Sequence, residues 1–295
     1  ELNETQNPSR WKIGQIYFAH LTVTDVLNNR FFFFEPINRK GINIAGARSD
    51  RLLVWNEDWI LTDKDGGIRI KAIESGTGID LLLKPLKPLV FHGEKGVSQK
   101  GKETGNASHY FSWTRMKSQG KIWIRGQASK VQGTSWMDRE FSSNQLSKNQ
   151  IGWDWFSIKL DNQVEIMLYQ IRLKGGEIEP YSSGTLVEQD GLSRKLEFSE
   201  FKIKPNKQWT SPNTGVRYPS KWTVTLINED IQLHVSPLVD NQELHHLRSI
   251  GGSYWEGSVR ARGYYKGQPI SGNGYVELVG YEKPLDSSPT QKEKK

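Results

Sequence analysis

The sequence predicts an all-β protein, and three observations support this fold class. The 295-residue chain contains only seven alanines but 28 glycines. Aromatic residues make up 11% of the chain, and β-branched residues are frequent. Alanine is the best helix former, whereas aromatic and β-branched side chains suit a pleated sheet. Short runs that alternate apolar and polar residues, separated by Gly, Pro, Asn and Asp, are typical of antiparallel strands.

In the first half of the chain, alternating runs predict strands on both sides of one long loop. The predicted strands are Ile16–Val26, Phe31–Phe34, Ile68–Ile73, Ile79–Leu83, His109–Met116, Lys121–Arg125 and Ala128–Gly133. Asn28 and Asn29 form a turn after the first strand, and Pro85 and Pro88 end the fourth. The stretch Gly93–Ser108 is polar and rich in glycine, and it is therefore interpreted as a loop.

The second half is interpreted as a series of hairpins. The predicted strands are Trp153–Leu160, Glu165–Leu173, Lys221–Ile227, Ile231–Val235, Tyr254–Gly263 and Gly272–Tyr281. Turn-forming residues at 161–162 and 228–230 join the first four of them in pairs. Ser142–Gln150 is interpreted as a short helix or an ordered loop, because its serines and Asn144 can cap a helix.

The length of the chain is sufficient for two ordinary domains. We place the boundary in the segment before residue 150, near the middle of the chain. Residues 1–148 are predicted to form the first domain and residues 149–283 the second. Residues 284–295 are predicted to form a disordered tail.

Composition excludes several classes of function. The net charge is +7, but the only dense basic run is Lys292–Lys295, so nucleic-acid binding is not predicted. Cysteine is absent, which excludes disulfides and thiolate chemistry. His245 and His246 are adjacent and would point to opposite faces of a strand, so no metal site is predicted. No apolar run approaches the roughly 18 residues of a membrane-spanning helix.

Two carboxylates in Gly133–Phe141 are candidates for acid–base chemistry. Asp138 and Glu140 are two residues apart and therefore share one face of an extended strand, with Arg139 on the other. Carboxylates on one face raise each other's pKa, and they can divide the roles of acid and base.

Asp154 is a third candidate, since it lies between Trp153 and Trp155. An acid beside indoles loses hydration, keeps its proton and can act as a general acid near neutral pH. In the structural alternative, the tryptophans form the core between two sheets and the acids bond backbone groups at strand ends. The pattern leaves both interpretations open.

A series of short motifs resembles the AttH family, which includes the carotenoid 1,2-hydratases (hydroxyneurosporene synthases) and is also described as predicted secreted hydrolases. The resemblance extends from about Tyr17 to Tyr281, with the motifs in the family's order. They are Gly133–Phe141, Gly152–Ser157, Met167–Arg172, Ser182–Val187, Trp209–Pro212, Tyr218–Trp222, Asp240–Leu244, Tyr254–Gly257 and Gly274–Leu278.

This resemblance implies two tandem lipocalin-like antiparallel β-barrel domains that bind an apolar isoprenoid or lipid-like ligand, with no cofactor and no metal. It also implies export, so we expect a periplasmic or secreted location after removal of an N-terminal signal. Peripheral contact with a membrane is compatible with such a ligand. The family usually opens with a Trp-Trp-Tyr strand and a Phe-Phe-Arg strand. Neither precedes Trp11, so the first barrel is expected to be short of strands.

In the hydratases, an aspartate protonates a terminal isoprenoid double bond, and the resemblance assigns this role to Asp138. His109 corresponds to a neighbouring residue and would direct water. Phe111 stands where a Trp is expected and Arg139 where His is common, which weakens the transfer of activity. The residues expected to contact the ligand are Phe111, Trp136, Trp153, Trp155, Tyr169 and Trp255.

Three functions therefore remain open. The first is a cofactor-independent hydratase of an isoprenoid double bond, and the second is a non-catalytic carrier that assists export or envelope lipid handling. The third is a pericyclase-like enzyme in which a shaped pocket does most of the work. An Asp138 that faces a pocket favours an enzyme, whereas an Asp138 bonded to backbone amides favours the carrier.

Overall fold

The computed structural model describes residues 15–103, 105–142 and 146–284, and about two thirds of these residues lie in β-strands. The helical structure in these ranges is limited to a single 3-10 turn at Phe198–Glu200. The all-β prediction is therefore confirmed. Among the described residues, no helix has the length and apolar character needed to cross a membrane.

The strands are numbered in chain order, and they pair antiparallel in each sheet. They are β1 (Ile16–Phe18), β2 (Leu21–Asp25), β3 (Arg30–Phe34), β4 (Ile37–Arg39), β5 (Ala45–Ala47), β6 (Leu53–Asn56), β7 (Trp59–Lys64), β8 (Gly67–Glu74), β9 (Thr77–Pro85), β10 (Val90–Phe91), β11 (Val97–Gln99), β12 (Ala107–Ile124), β13 (Gln127–Phe141), β14 (Gln150–Leu160), β15 (Glu165–Leu173), β16 (Ser183–Val187), β17 (Ser193–Glu197), β18 (Phe201–Thr210), β19 (Arg217–Leu226), β20 (Ile231–Pro237), β21 (Glu243–Leu247), β22 (Gly252–Tyr265) and β23 (Gln268–Val279).

The chain divides into two compact units. Among the described residues, the first takes residues 15–86, Met116–Ser135 and Leu247–Ile250. Its main sheet runs in the order β12-β9-β8-β7-β6-β5, and β1 pairs with β4 and β2 with β3. Its small core consists of Leu21, Val23, Trp59 and Ala72, with Phe32, Phe34, Ile79 and Ile122 packed against them.

The second unit takes the described residues of Lys87–Arg115, Trp136–His246 and 251–284. Its sheet has the order β17-β16-β15-β14-β23-β22-β20-β19-β18, and β21 pairs with β22. Because side chains alternate along each strand, β14 and β15 present two apolar faces. One carries the large core around Phe156, Ile158 and Leu168. The other carries Trp153, Trp155, Met167, Tyr169 and Ile171, with Tyr110 and Trp136 packed against them.

The segment from residue 93 to residue 141 differs from its prediction. The predicted loop Gly93–Ser108 contains β11 and the start of β12, and the three strands predicted over 109–133 form one long hairpin of β12 and β13. Arg125 and Gly126 turn the chain with φ values of 51° and 84°. Two positive φ values in succession fit a two-residue hairpin turn, but Arg-Gly is a weaker signal for it than Asn-Gly.

The two units also divide the chain differently from the single boundary predicted after residue 148. Strands β12 and β13 are long enough to contribute residues to both units, so each unit is assembled from separate segments. In Ser142–Gln150, the described residues 142 and 146–150 contain no helix, and residues 143–145 lie outside the described part. The predicted tail beyond residue 284, and the expectation about strands before Trp11, likewise fall outside it.

Candidate active site

Asp138 lies on β13 in the second unit and is bound by side chains. Its Oδ1 accepts hydrogen bonds from Trp136 Nε1 at 2.8 Å, from Tyr110 OH at 3.1 Å and from Ser112 Oγ. These three donors have neutral side chains, and they come from β12 and from β13 itself. The arrangement differs from the structural alternative considered above, in which the acid bonds backbone groups at a strand end.

The environment of Asp138 raises the proton affinity of its carboxyl group. Asp138 as a whole residue is exposed to solvent. The protein around its carboxyl group nevertheless displaces much of the hydration of that group. This loss of hydration raises the pKa of Asp138 to about 6, the three hydrogen bonds oppose the rise, and the charge of Glu140 adds to it. An acid that a ligand can reach and that titrates near neutral pH is suited to general acid–base chemistry.

Aromatic side chains surround this acid. Trp155 Nε1 donates a hydrogen bond of 3.1 Å to the Tyr110 hydroxyl, which in turn donates to Asp138. The rings of Trp136 and Trp155 meet edge to face, with centroids 6.4 Å apart and an interplanar angle of 85°. Such contacts fix the orientation of both indoles. The structure thus brings the indoles of Trp136 and Trp155 together beside Asp138.

A buried histidine, His92, forms a hydrogen bond with Ser112. His92 Nε2 lies 2.8 Å from Ser112 Oγ, and its Nδ1 lies 2.8 Å from Thr185 Oγ1. Burial, with a smaller contribution from Lys100, lowers the pKa of His92 to about 3, so the ring is neutral. Because Ser112 donates to Asp138, His92 must donate to Ser112 through Nε2–H and accept from Thr185. Sequence reasoning missed this residue, since no motif connects residue 92 to residue 138.

Glu140 shares the face of Asp138, but it has a different environment. It accepts a hydrogen bond of 2.5 Å from Ser108 and pairs with Lys100 Nζ at 3.0 Å. Arg139 lies on the other face, with its guanidinium 5.6 Å from the centre of the Phe141 ring. Glu140 and Arg139, which are neighbours of Asp138 on β13, therefore lie on the strand faces that the alternation predicted.

His109 and Phe111 are not brought together with Asp138. Both lie on the face of β12 opposite Tyr110 and Ser112, because side chains alternate along a strand. His109 is exposed and stacks on Phe141 with ring centroids 5.2 Å apart, while Phe111 packs against Phe91. In this structure His109 is thus not placed to direct water to a substrate held at Asp138.

The other three predicted ligand residues have different environments. Trp153 lies on the same sheet face as Trp155 and donates a hydrogen bond to Glu277. Tyr169 is buried, and Lys100 Nζ lies 3.8 Å above its ring. Trp255 belongs to the large core on the opposite face of the sheet, where its Nε1 donates to the Asp240 carbonyl at 2.8 Å. The structure thus places Trp153 near the site and Trp255 in the core.

Asp154 forms part of a buried ion pair. It binds Arg172, and it accepts hydrogen bonds from Tyr281 OH at 2.9 Å and Gln170 Nε2 at 3.1 Å. Burial raises its pKa, while the charge of Arg172 lowers it. Because Trp153 and Trp155 point to the other sheet face, the indoles that flank Asp154 in sequence do not surround its carboxyl group. Asp154 therefore forms an ion pair with side chains, and not the bonds to backbone groups at a strand end that the structural alternative described.

Two glutamates that the sequence did not single out adjoin the site. Glu256 on β22 and Glu277 on β23 are directly opposite each other. Loss of hydration and then the charge of Glu256 raise the pKa of Glu277 to about 8, and loss of hydration raises that of Glu256 to about 6. They are far apart in the sequence, so only the register of β22 and β23 reveals the pair. Within the described residues, no group of three or more potential ligands fits a metal ion.

The chain is similar to several known proteins. The family model described as AttH-like matches residues 1–281. An AttH protein from Nitrosomonas europaea, solved at 2.00 Å resolution, is 33% identical, with a TM-score of 0.84 over 93% of this chain and 83% of that one. Kievitone hydratase from Nectria haematococca is 16% identical, with a TM-score of 0.74 over 90% of this chain and 80% of that one.

A third solved structure, CghA with Sch210972, is 9% identical, with a TM-score of 0.55 over 89% of this chain and 78% of that one. No curated protein is similar enough in sequence to add a further relative. These structural similarities confirm the lipocalin-like fold that the resemblance implied. Because the family model spans nearly the whole chain, and the Nitrosomonas europaea protein shares a third of its residues, the chain belongs to the AttH-like family.

Proposed function

We propose that this protein binds an apolar isoprenoid or lipid-like molecule and catalyses the acid-assisted addition of water to one of its double bonds. The observation that carries the proposal is the Asp138 carboxyl group, which is accessible, has a pKa raised to about 6 and lies beside two indole rings. The name of kievitone hydratase, whose fold this chain shares, gives water addition as the activity of that protein.

In the proposed reaction, protonated Asp138 transfers its proton to one carbon of the alkene. The O–H bond breaks, a C–H bond forms, and the other carbon becomes a tertiary cation. The ring faces of Trp136 and Trp155 would stabilise this cation by about 0.5–2 kcal/mol each through their quadrupoles. Water then forms the C–O bond and releases a proton, which gives a neutral alcohol.

A non-catalytic carrier is the second candidate, and one observation favours it. Three donors converge on the same oxygen of Asp138, and hydrogen bonds to a carboxylate stabilise its ionised form. With a pKa of about 6, roughly one Asp138 in ten is protonated at pH 7. A carrier would use the ionised group to fix the polar end of a ligand.

Water addition and simple binding are distinguished by isotope incorporation. We expect the full chain, incubated with an acyclic terpenoid alkene in ¹⁸O-labelled water, to produce an alcohol that carries one ¹⁸O atom, measured by mass spectrometry. Binding of the terpenoid without ¹⁸O incorporation, at any pH between about 5 and 8, would favour the carrier.

Ligand binding itself is tested by tryptophan fluorescence. We expect a polyene isoprenoid to quench the emission at micromolar concentration, because the indoles of the proposed site would lie within contact distance of it. Simple sugars should have no effect. Trp155→Phe should remove a larger part of the quenching than Trp209→Phe, since Trp209 stacks on Tyr218 near the large core. Equal losses in the two variants would contradict this location of the ligand.

A further inference from the structure

Glu256 and Glu277 form a carboxyl pair on the sheet face that carries the indoles of the candidate site. They are direct partners in the register of β22 and β23, and directly opposed residues have Cβ atoms about 4.5–5.5 Å apart. Glu277 is also the register partner of Trp155 on β14. Glu256, Glu277 and Trp155 therefore lie side by side on three adjacent strands, β22, β23 and β14.

The side chains around the pair donate hydrogen bonds but do not neutralise its charge. Trp153 donates to Glu277, and Tyr254 donates to Glu256. The charges that raise the pKa of Glu277 are those of Glu256 from β22 and of Asp138 and Glu140 from β13. Lys100 is paired with Glu140. Tyr275 on β23 is one of the groups that raise the pKa of Tyr254.

Two ionised carboxylates at this separation repel each other, and the repulsion disappears when one proton is shared between them. The raised pKa values of about 6 and about 8 agree with this geometry. They belong to the pair as a whole, because interacting groups lose their protons in joint steps. Between these two values the pair contains one proton, and it can both donate and accept.

We propose that Glu256 and Glu277 share one proton and form the second acid–base group of the Asp138 site. This inference rests on the proposed function. During hydration, the ionised half of the pair would take the proton that the attacking water loses when its oxygen bonds to the cation.

The protons lost and gained by the protein are then equal in number over one turnover. Asp138 loses one proton to the alkene carbon, and the pair gains one proton from water. Transfer of that proton through solvent water to Asp138 restores both groups, so the net reaction is alkene plus water to alcohol. The pair acts on the water and Asp138 acts on the alkene, which separates the roles of base and acid.

The kinetic test compares Glu277→Gln with the parent over a range of pH. We expect kcat to fall at least tenfold, a modest part of the roughly 10²–10⁴ of acid–base catalysis, with KM changed less than about threefold. The acidic limb of the pH profile should stay near pH 6, because the first proton leaves the pair while the partner carboxyl is still protonated and uncharged, so the fall in kcat should be present at every pH. Glu256→Gln should cause a comparable fall in kcat. Glu197→Gln, at an exposed glutamate on β17, is the control for the chemical change.

A purely structural pair would lower the melting temperature and leave kcat unchanged at temperatures where the variant is folded, and that result would overturn the proposal. Titration of ¹³C-labelled glutamate carboxyls by NMR tests proton sharing without any substrate. In the parent we expect two glutamates to titrate near pH 6 and 8. In either single variant we expect one titration near pH 6 and none near pH 8, because the repulsion that raises the second step is gone. If both titrate below about pH 5 in the parent, the pair does not share a proton. If they titrate as expected but no alkene is hydrated, proton sharing stands and the proposed function fails.

Discussion

We expect Asp138→Asn to bind an isoprenoid ligand nearly as well as the parent and to lose hydration turnover by two or more orders of magnitude. Asparagine keeps the shape and an oxygen that can accept from Trp136, Tyr110 and Ser112, but it has no transferable proton. General acid catalysis contributes about 10²–10⁴ in rate. Turnover measured with fluorescence titration of the same ligand checks both parts. Glu140→Gln, which changes a carboxyl already paired with Lys100, should cost much less.

The pH dependence follows from the same residue. The pKa of Asp138 is raised to about 6, so the protonated acid required for catalysis is lost as pH rises through 6. The stability of the native state also falls as pH rises, because Asp138 in the native state retains a proton that the unfolded state releases near pH 4. The native state is therefore destabilised as pH rises from about 4 to 6, and Asp138→Asn should melt no lower than the parent above pH 6. If Asp138→Asn keeps full activity, Asp138 is not the proton donor. If this variant fails to fold, Asp138 has a structural role.

Glu165→Gln should lower the free energy of unfolding by about 3–5 kcal/mol, the scale for breaking a buried ion pair. Glu165 is completely buried on β15, where its Oε2 accepts from Lys87 at 2.7 Å and from Thr114 at 3.3 Å. Its Oε1 accepts from Arg115 at 2.5 Å. Without the carboxylate, two cations remain in a poorly hydrated environment. Urea denaturation at pH 7 measures the loss.

Glu243→Gln is the matched control for this stability prediction. Glu243 is also buried, but its partners are the hydroxyls of Ser211, Thr214 and Tyr218. Hydroxyl groups rotate to suit an amide, and the expected cost is about 1–2 kcal/mol. Equal losses in the two variants would mean that the charges of Lys87 and Arg115 do not determine the effect.

The sequence predicted the strands and the neighbours of Asp138 on its own strand, because period-two alternation is a local property. It therefore separated Asp138 from Arg139 correctly. It did not establish which face of β12 meets Asp138. Residues 108–114 carry aromatic or polar side chains on both faces, so either register was compatible with the pattern. The structure selects Tyr110 and Ser112, and it excludes His109 from this face.

The partners of Asp154 and the pairing of Glu256 with Glu277 escaped the sequence analysis for one physical reason. Asp154 lies between two tryptophans in the sequence, but its partners Gln170, Arg172 and Tyr281 come from other strands. Glu256 and Glu277 likewise meet through pairing of β22 with β23. Local spacing shows which side chains share a face. Only the register between strands shows which groups determine the pKa of an acid.

The pairing of β14 with β23 has a consequence for folding during synthesis. Trp153 is the register partner of Val279, so an inner strand of the second unit stays unpaired on one edge until residue 279 has left the ribosome. Non-local pairing of this kind slows folding, and an open strand edge favours association with other chains. Fragments that end before Gln268 lack β23. They should therefore depend on chaperones or aggregate, even though every residue proposed to contact the alkene is already present.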